Sequence, residues 1–218
     1  MKRVRPRRWL GLCACTLTVV FAEAPVAFES RVDSRGSGQA VIRNLKAVPL
    51  TAYLIQIFLE PCLPTPQPPV FRASDAALTP HGEALSPLQS RTETLGVSHC
   101  NKVGSSVPGR AELRAVIFDD GSTWGESKWL QALLENRKLQ LQELEMVIRQ
   151  LNARVPRRDI IAGLDRRLPA LESERNLPFP PVLDLRELLS KTWSGNGDPL
   201  PALQRLRNKL LEAKPPLR

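Results

Sequence analysis

The residues able to do chemistry in this chain are few. There are two histidines, His81 and His99, and four cysteines, Cys13, Cys15, Cys62 and Cys100. A general base must be held within hydrogen-bond reach of its proton. His81 sits in Thr79-Pro80-His81-Gly82-Glu83, a Pro/Gly stretch that reads as a surface loop. His99 precedes Cys100, but successive side chains on a strand point to opposite faces, so adjacency argues against an imidazole–thiol dyad. The oxygen-rich runs Asp119-Asp120-Gly121-Ser122 and Asn196/Asp198 lack the ligand periodicity of a calcium loop, and turn chemistry accounts for both. No G-x-S-x-G elbow, H-E-x-x-H, phosphate loop or G-x-G-x-x-G occurs. The sequence therefore assigns no catalytic residue, no metal ligand and no cofactor. A hydrolase would need Asp119, Asp120, Glu126, His81 and His99 to converge, at least in part, in one concave pocket.

Cys62 and Cys100 acquire a meaning from the other end of the chain. Met1–Arg8 carries Lys2, Arg3, Arg5, Arg7 and Arg8 and no acidic residue, and Trp9–Val20 is an uncharged apolar run of about a dozen residues. That is the right length for a signal h-region and short for a spanning helix. Val20-Phe21-Ala22 offers a cleavage site, so 1–22 is expected to be a signal peptide. Two tethered alternatives stand beside cleavage: a lipid on Cys15 in Leu12-Cys13-Ala14-Cys15, and an uncleaved anchor oriented by its positive flank. Either way the expected setting is exported, periplasmic or extracellular. In an oxidising compartment two remaining cysteines are expected to form a disulfide, Cys62–Cys100. With neither CxxC nor HxxxH spacing they do not make a zinc site.

The same segment disposes of a nucleic-acid reading. The formal net charge is +9, but five of those charges precede the apolar run. The remainder is mildly basic, with no Lys/Arg tract beside an aromatic stacking platform. Nucleic acid is not an expected partner, and a membrane is expected only through an uncleaved or lipidated N-terminus.

Elements must now be found to carry these residues. Glu29–Gly38 is polar and Gly/Ser-containing, and 23–38 reads as a flexible linker. Ala40–Asn44 is a short strand. Leu50–Leu59 is a longer one, with Thr51, Tyr53, Ile55, Ile57 and Leu59 on one face and Ala52, Leu54, Gln56 and Phe58 on the other. Apolar residues on both faces imply a strand inside a layered structure. Pro61 and the prolines of 64–69 end it. Weak strands follow at Val70–Arg72 and Thr92–Val97, with a helical turn near Asp75–Leu78. Arg110–Phe118 is the second clear strand, read with Ala111, Leu113, Ala115 and Ile117 facing in and Glu112 and Arg114 facing out. Asp119-Asp120-Gly121-Ser122 is a hairpin turn. Residues 39–125 thus read as a small antiparallel β-sandwich.

Ile42-x-Asn44, Pro49-Leu50-Thr51-Ala52-Tyr53, and Ala115–Phe118 followed by Asp119-Asp120-Gly121-Ser122-Thr123-Trp124-Gly125 resemble immunoglobulin-like domains of uncharacterised exported bacterial proteins. The resemblance covers roughly 40% of the chain. It implies a fold and an envelope or secreted setting, with no catalytic residues to carry over. The Pro-rich insert after Cys62 and the long C-terminal half depart from that pattern.

Residues 126–213 read as helical, and 214–218 as a frayed tail. Glu126–Arg154 is the strongest helix signal: Leu130, Leu134, Leu141, Leu144, Ile148 and Leu151 recur at spacings of three and four, with Arg137 in the gap. Such a helix, about 43 Å long, outreaches a small sandwich, so part of it must pack elsewhere. That stripe is the candidate surface for a protein partner or a second copy, as in a coiled coil. Asp159–Asn176 forms a second helix bent or split near Pro169, Asp184–Thr192 a third, and Asp198-Pro199 opens a last one through Ala213. The fold class is α+β: an immunoglobulin-like sandwich, a long amphipathic helix, then shorter helices. The expected function is that of a non-catalytic exported interaction module, with a secreted hydrolase as the alternative.

Overall fold

The computed structural model describes residues 24–32, 37–61, 69–79, 82–97, 106–174, 177 and 179–216. The expected signal peptide, all four cysteines, both histidines and residues 62–68 of the Pro-rich insert lie outside them.

Among the described residues, seven strands form two antiparallel sheets. Sheet A has the order β1-β2-β5, from β1 (Val26–Val32), β2 (Ser37–Asn44) and β5 (Ser90–Val97). Sheet B has the order β4-β3-β6-β7, from β3 (Leu50–Pro61), β4 (Val70–Asp75), β6 (Ser106–Phe118) and β7 (Thr123–Gly125). β1 falls inside the stretch read as a flexible linker. Val26 and Phe28, two residues apart, turn into the core, and the segment pairs along β2 from Val26↔Asn44 to Val32↔Gly38.

The sheets enclose a core built from Val26, Ala40, Ile42 and Leu95 of sheet A and Tyr53, Ile55, Ile57, Val116 and Phe118 of sheet B. β3 is dry on both faces, as its sequence requires. Ala52 and Leu54 leave the inter-sheet core and join Ala115, Ile117 and the start of the first helix.

The facing of β6 differs from simple alternation. Leu54 pairs with Ala115 but Ile55 pairs with Leu113, so Arg114 is an extra residue in the ladder. Such a bulge exchanges the two faces of the strand beyond it. Ala111 and Leu113 therefore face sheet A, whereas Ala115 and Ile117 face the helix, and Val116 and Phe118 take over the inter-sheet core.

Four helices follow: α1 (Ser127–Asn152), α2 (Arg157–Glu174), α3 (Leu185–Ser194) and α4 (Leu200–Glu212). α2 passes Pro169 without ending. Asp184 caps α3 by accepting a hydrogen bond from the Glu187 amide at 2.8 Å. α1, about 39 Å long, divides its contacts. Its first half, through Trp129, Ala132 and Leu133, packs on the outer face of sheet B. Its second half, through Leu144 and Val147, packs with Ile160, Leu189, Leu203, Leu206 and Leu210 of the later helices. Among the described residues no helix is long and apolar enough to cross a membrane.

Candidate functional site

Three polar constellations are built into this frame. The most buried lies where the sandwich, α1 and the chain end meet. Asp75 closes β4, and its Oδ1 accepts the Ala77 amide at 2.9 Å, fixing the turn that follows. Arg137, from the middle of α1, reaches this carboxylate with both edges of its fork: Nε to Oδ2 at 2.6 Å and Nη2 to Oδ1 at 3.1 Å. Nη1 donates to the Lys214 carbonyl at 2.9 Å. The side chains of Arg137 and Asp75 are 0% and 1% exposed. Burial of an arginine at this depth is sustained only by paired charge and filled donors, and the carbonyl of Lys214 is part of that set. The segment read as a frayed tail is thus tied down at its start.

Above Arg137 lies a notch of about 210 Å³, bordered by Thr51, Gly82, Asp119, Lys209 and Glu212. Lys209 clasps its rim by donating to the Gly82 carbonyl at 2.9 Å. Its floor is already committed: the guanidinium is held by the Asp75 carboxylate and the Lys214 carbonyl. The arrangement anchors one element to another and offers no free acid, base or nucleophile from that pair.

The second constellation bridges the sheets. The Tyr53 hydroxyl donates to Glu93, whose other oxygen meets Arg72 Nε at 3.4 Å. Burial, and then the Glu93 hydrogen bond, push the phenol above its ordinary pKa, so it stays neutral and acts as a donor. The third lies on the part of sheet B that α1 leaves open. Arg114, the bulge residue, reaches Gln56 at 2.6 Å, Glu112 at 2.6 Å and Glu126 at 3.0 Å. Arg110 stacks over the Phe58 ring at 4.3 Å.

Sequence motifs fall into place around these. Asn44 is fully buried and completely used: Nδ2 donates to the carbonyls of Val48 and Leu85, and Oδ1 accepts the Lys46 amide. It is a structural hub for the crossing from β2 to β3. Of the groups a hydrolase would gather, Asp119, Asp120 and Glu126 are described, and all three are exposed. Asp120 accepts from Ser122 and Lys46, which lower its pKa to about 2. Glu126 is paired with Arg114 and Lys128. Asp119 alone borders the notch. Among the described residues no group of three or more His, Cys, Asp and Glu is placed to hold a metal.

The leucine stripe of α1 is used within the chain. Leu144 is fully buried, and Leu130, Leu134, Leu141, Ile148 and Leu151 are partly buried against the two helix-side clusters. The most buried line of α1 is rotated from that stripe and contains Asn136, Arg137, Gln140 and Glu143. The sequence reading treated Arg137 as a gap. Its signal was available, because an arginine flanked by leucines on a buried stripe demands a carboxylate from another element. Which carboxylate was not readable, since 62 residues separate Arg137 from Asp75.

No protein-family model, curated protein or solved structure matches this chain.

Proposed function

We propose that this is a non-catalytic exported protein whose immunoglobulin-like sandwich binds another protein or an envelope component. The observation that carries this reading is the state of its carboxylates. Of the three described groups available to a hydrolase, Asp120 and Glu126 are each held by a cation, and the most buried carboxylate, Asp75, is locked to Arg137. The immunoglobulin-like assignment is supported by seven strands divided three and four, with β2 and β3 inside their sheets and β7 completing sheet B. Export rests on the basic flank, apolar run and small-residue site of 1–22. Because α1 turns its stripe inward, the surface for a partner lies among the exposed apolar side chains off that helix: Val41, Leu45, Val70, Leu88, Trp124 and Leu211.

A Cys62–Cys100 disulfide belongs to the same proposal. Pro61, just before Cys62, pairs with Ser106 at one end of sheet B, and Val97, three residues before Cys100, pairs with Ser37 at that end of sheet A. A disulfide closing this loop would stabilise the fold by about 4 kcal/mol in the chain-entropy model. A thiol assay on the unfolded protein lacking residues 1–22 should find none; two titratable thiols would remove it.

The function is tested by photocrosslinking from Trp124 and Leu211 in the native envelope, together with assay of generic ester, peptide and glycoside substrates. Discrete adducts without turnover are expected. Turnover abolished by Asp119→Asn would replace this reading with the hydrolase alternative.

A further inference from the structure

We propose that the chain is retained at a lipid bilayer by its N-terminal segment and stands on that surface through the end of the sandwich bearing Leu45 and Leu88; the proposal rests on the export reading above. Leu88 is 66% exposed, the most exposed large apolar side chain among the described residues. It also holds a φ of 61°. The turn Ser86–Gln89 is closed by the Gln89 amide on the Ser86 carbonyl at 3.2 Å. With proline second, such a turn calls for glycine at the third position. A leucine is strained there, and this one buries little to offset the strain. Strain kept at an exposed apolar tip points to a use outside the fold.

Leu45 is 44% exposed and belongs to the same cluster. The Leu88 amide donates to the Asn44 carbonyl at 2.9 Å, and the Leu45 amide donates to the Pro25 carbonyl at 3.0 Å. Both leucines and the point where the chain enters the sandwich are therefore fixed together around the buried Asn44. Pro25 lies only five residues after Val20, the end of the apolar run. Five residues span at most about 17 Å. While the apolar run sits in a bilayer, whether uncleaved or beside a lipidated Cys15, this end of the sandwich cannot be far from the headgroups.

The chemistry of the contact follows from its neighbours. Arg43 and Asp119 are exposed nearby, and Lys46 is joined to Asp120 at 3.1 Å. The patch is close to neutral, so insertion of the two leucines, and not attraction to anionic lipid, drives the contact. Two half-exposed leucines are too few to recruit a free protein. They suffice to orient a tethered one, because the tether supplies the effective concentration.

The test uses the full chain, residues 1–218, in phosphatidylcholine vesicles carrying a tagged acyl chain. A benzophenone amino acid replaces Leu45, Leu88 or, as control, Val70. Val70 is about as exposed as Leu45, and its β3 partner Ile57 lies seven residues along that strand from Leu50. On irradiation, positions 45 and 88 should take up lipid at least tenfold more than position 70, in a chain whose intact mass retains Cys15 and everything after it. Equal labelling at the three positions, or chain-to-chain adducts from 45 and 88, would overturn the docking. Release of a chain beginning at Glu23 would overturn the tether. Protease accessibility of the chain expressed in bacteria separates the two levels: a chain left in the cytoplasm sinks the export reading, whereas an exported chain without lipid adducts sinks only this inference.

Discussion

Sheet B packs against sheet A on one face and, over part of the other, against α1, and the two contacts differ in chemistry. Against sheet A the contact is apolar across its middle, with Ile42, Ile55, Val116 and Phe118 fully or almost fully buried and polar groups such as Tyr53–Glu93 at the margin. Against α1 it begins apolar, with Ala52, Leu54 and Leu133, and then meets the Asp75–Arg137 pair. An apolar core tolerates many registers that keep its volume, because hydrophobic burial has no direction. A bidentate ion pair tolerates one, because its atoms must meet at hydrogen-bond distance. The sandwich thus closes by burial, and α1 is placed along the sheet with the help of a buried charged contact that also holds the chain end.

The comparison is most directly broken at Arg137. Arg137→Ala leaves Asp75 buried and unpaired and should destabilise the protein by about 3–5 kcal/mol, measured by urea or thermal unfolding. Arg137→Met combined with Asp75→Leu should cost far less. If the double variant is as unstable as the single one, the pair is not what places the helix.

The entry to α1 comes next. Gly125 has a φ of 118°, and a Cβ there would lie 2.2 Å from the Arg114 carbonyl oxygen at the bulge. Gly125→Ala should cost roughly 1–3 kcal/mol from the backbone conformation alone, and more from the clash. Hydrogen exchange should speed up at the start of α1 and leave the pairing of β2 with β5 unchanged.

A change in the opposite direction sharpens the contrast. The side chains of Asn136 and Gln140 are buried and find no hydrogen-bond partner among the described residues. Asn136→Leu and Gln140→Met remove groups whose desolvation is uncompensated and should each stabilise by about 1 kcal/mol. A loss of stability at both sites would show that these amides do work in placing α1.

The smallest effect lies at the sandwich end, where Lys46 on the β2–β3 connection meets Asp120 on the β6–β7 turn. Asp120 has a folded pKa of about 2, below its ordinary value of 3.8. Its contribution is therefore present above about pH 4 and is lost as pH falls through 2. Asp120→Asn should flatten the acid limb of the stability profile slightly, with no change near neutrality. The Tyr53 phenol, raised above its ordinary value of 10, contributes the opposite limb: its stabilisation is present below pH 10 and is lost as pH rises through the folded pKa.

Much of the sandwich was legible locally. β3 announced itself by apolar residues on both faces and the hairpin by Asp120-Gly121, because each signal is contained in a few consecutive residues. β1 was hidden because Glu29 and Arg31 are polar on its outer side, Ser30 is polar on its inner side, and only Val26 and Phe28 carry the core signal. The bulge at Arg114 was hidden because alternation assumes that every residue has an opposite number. The candidate site fared worse: Arg137 was visible as an interruption, but its partner was not.

By itself the sequence determined most of the strands and the helical half, though not β1, together with the turn at Gly121 and the apolar content of the layers. Period, propensity and turn chemistry act between neighbours, so they can be read along the chain. Only the tertiary structure decided which face of α1 is buried, that Arg137 meets Asp75 and the Lys214 carbonyl, and that Leu45 and Leu88 share one corner with Pro25. Those outcomes depend on groups tens of residues apart being desolvated together, and the free energy of that event belongs to the assembled layers and not to any segment.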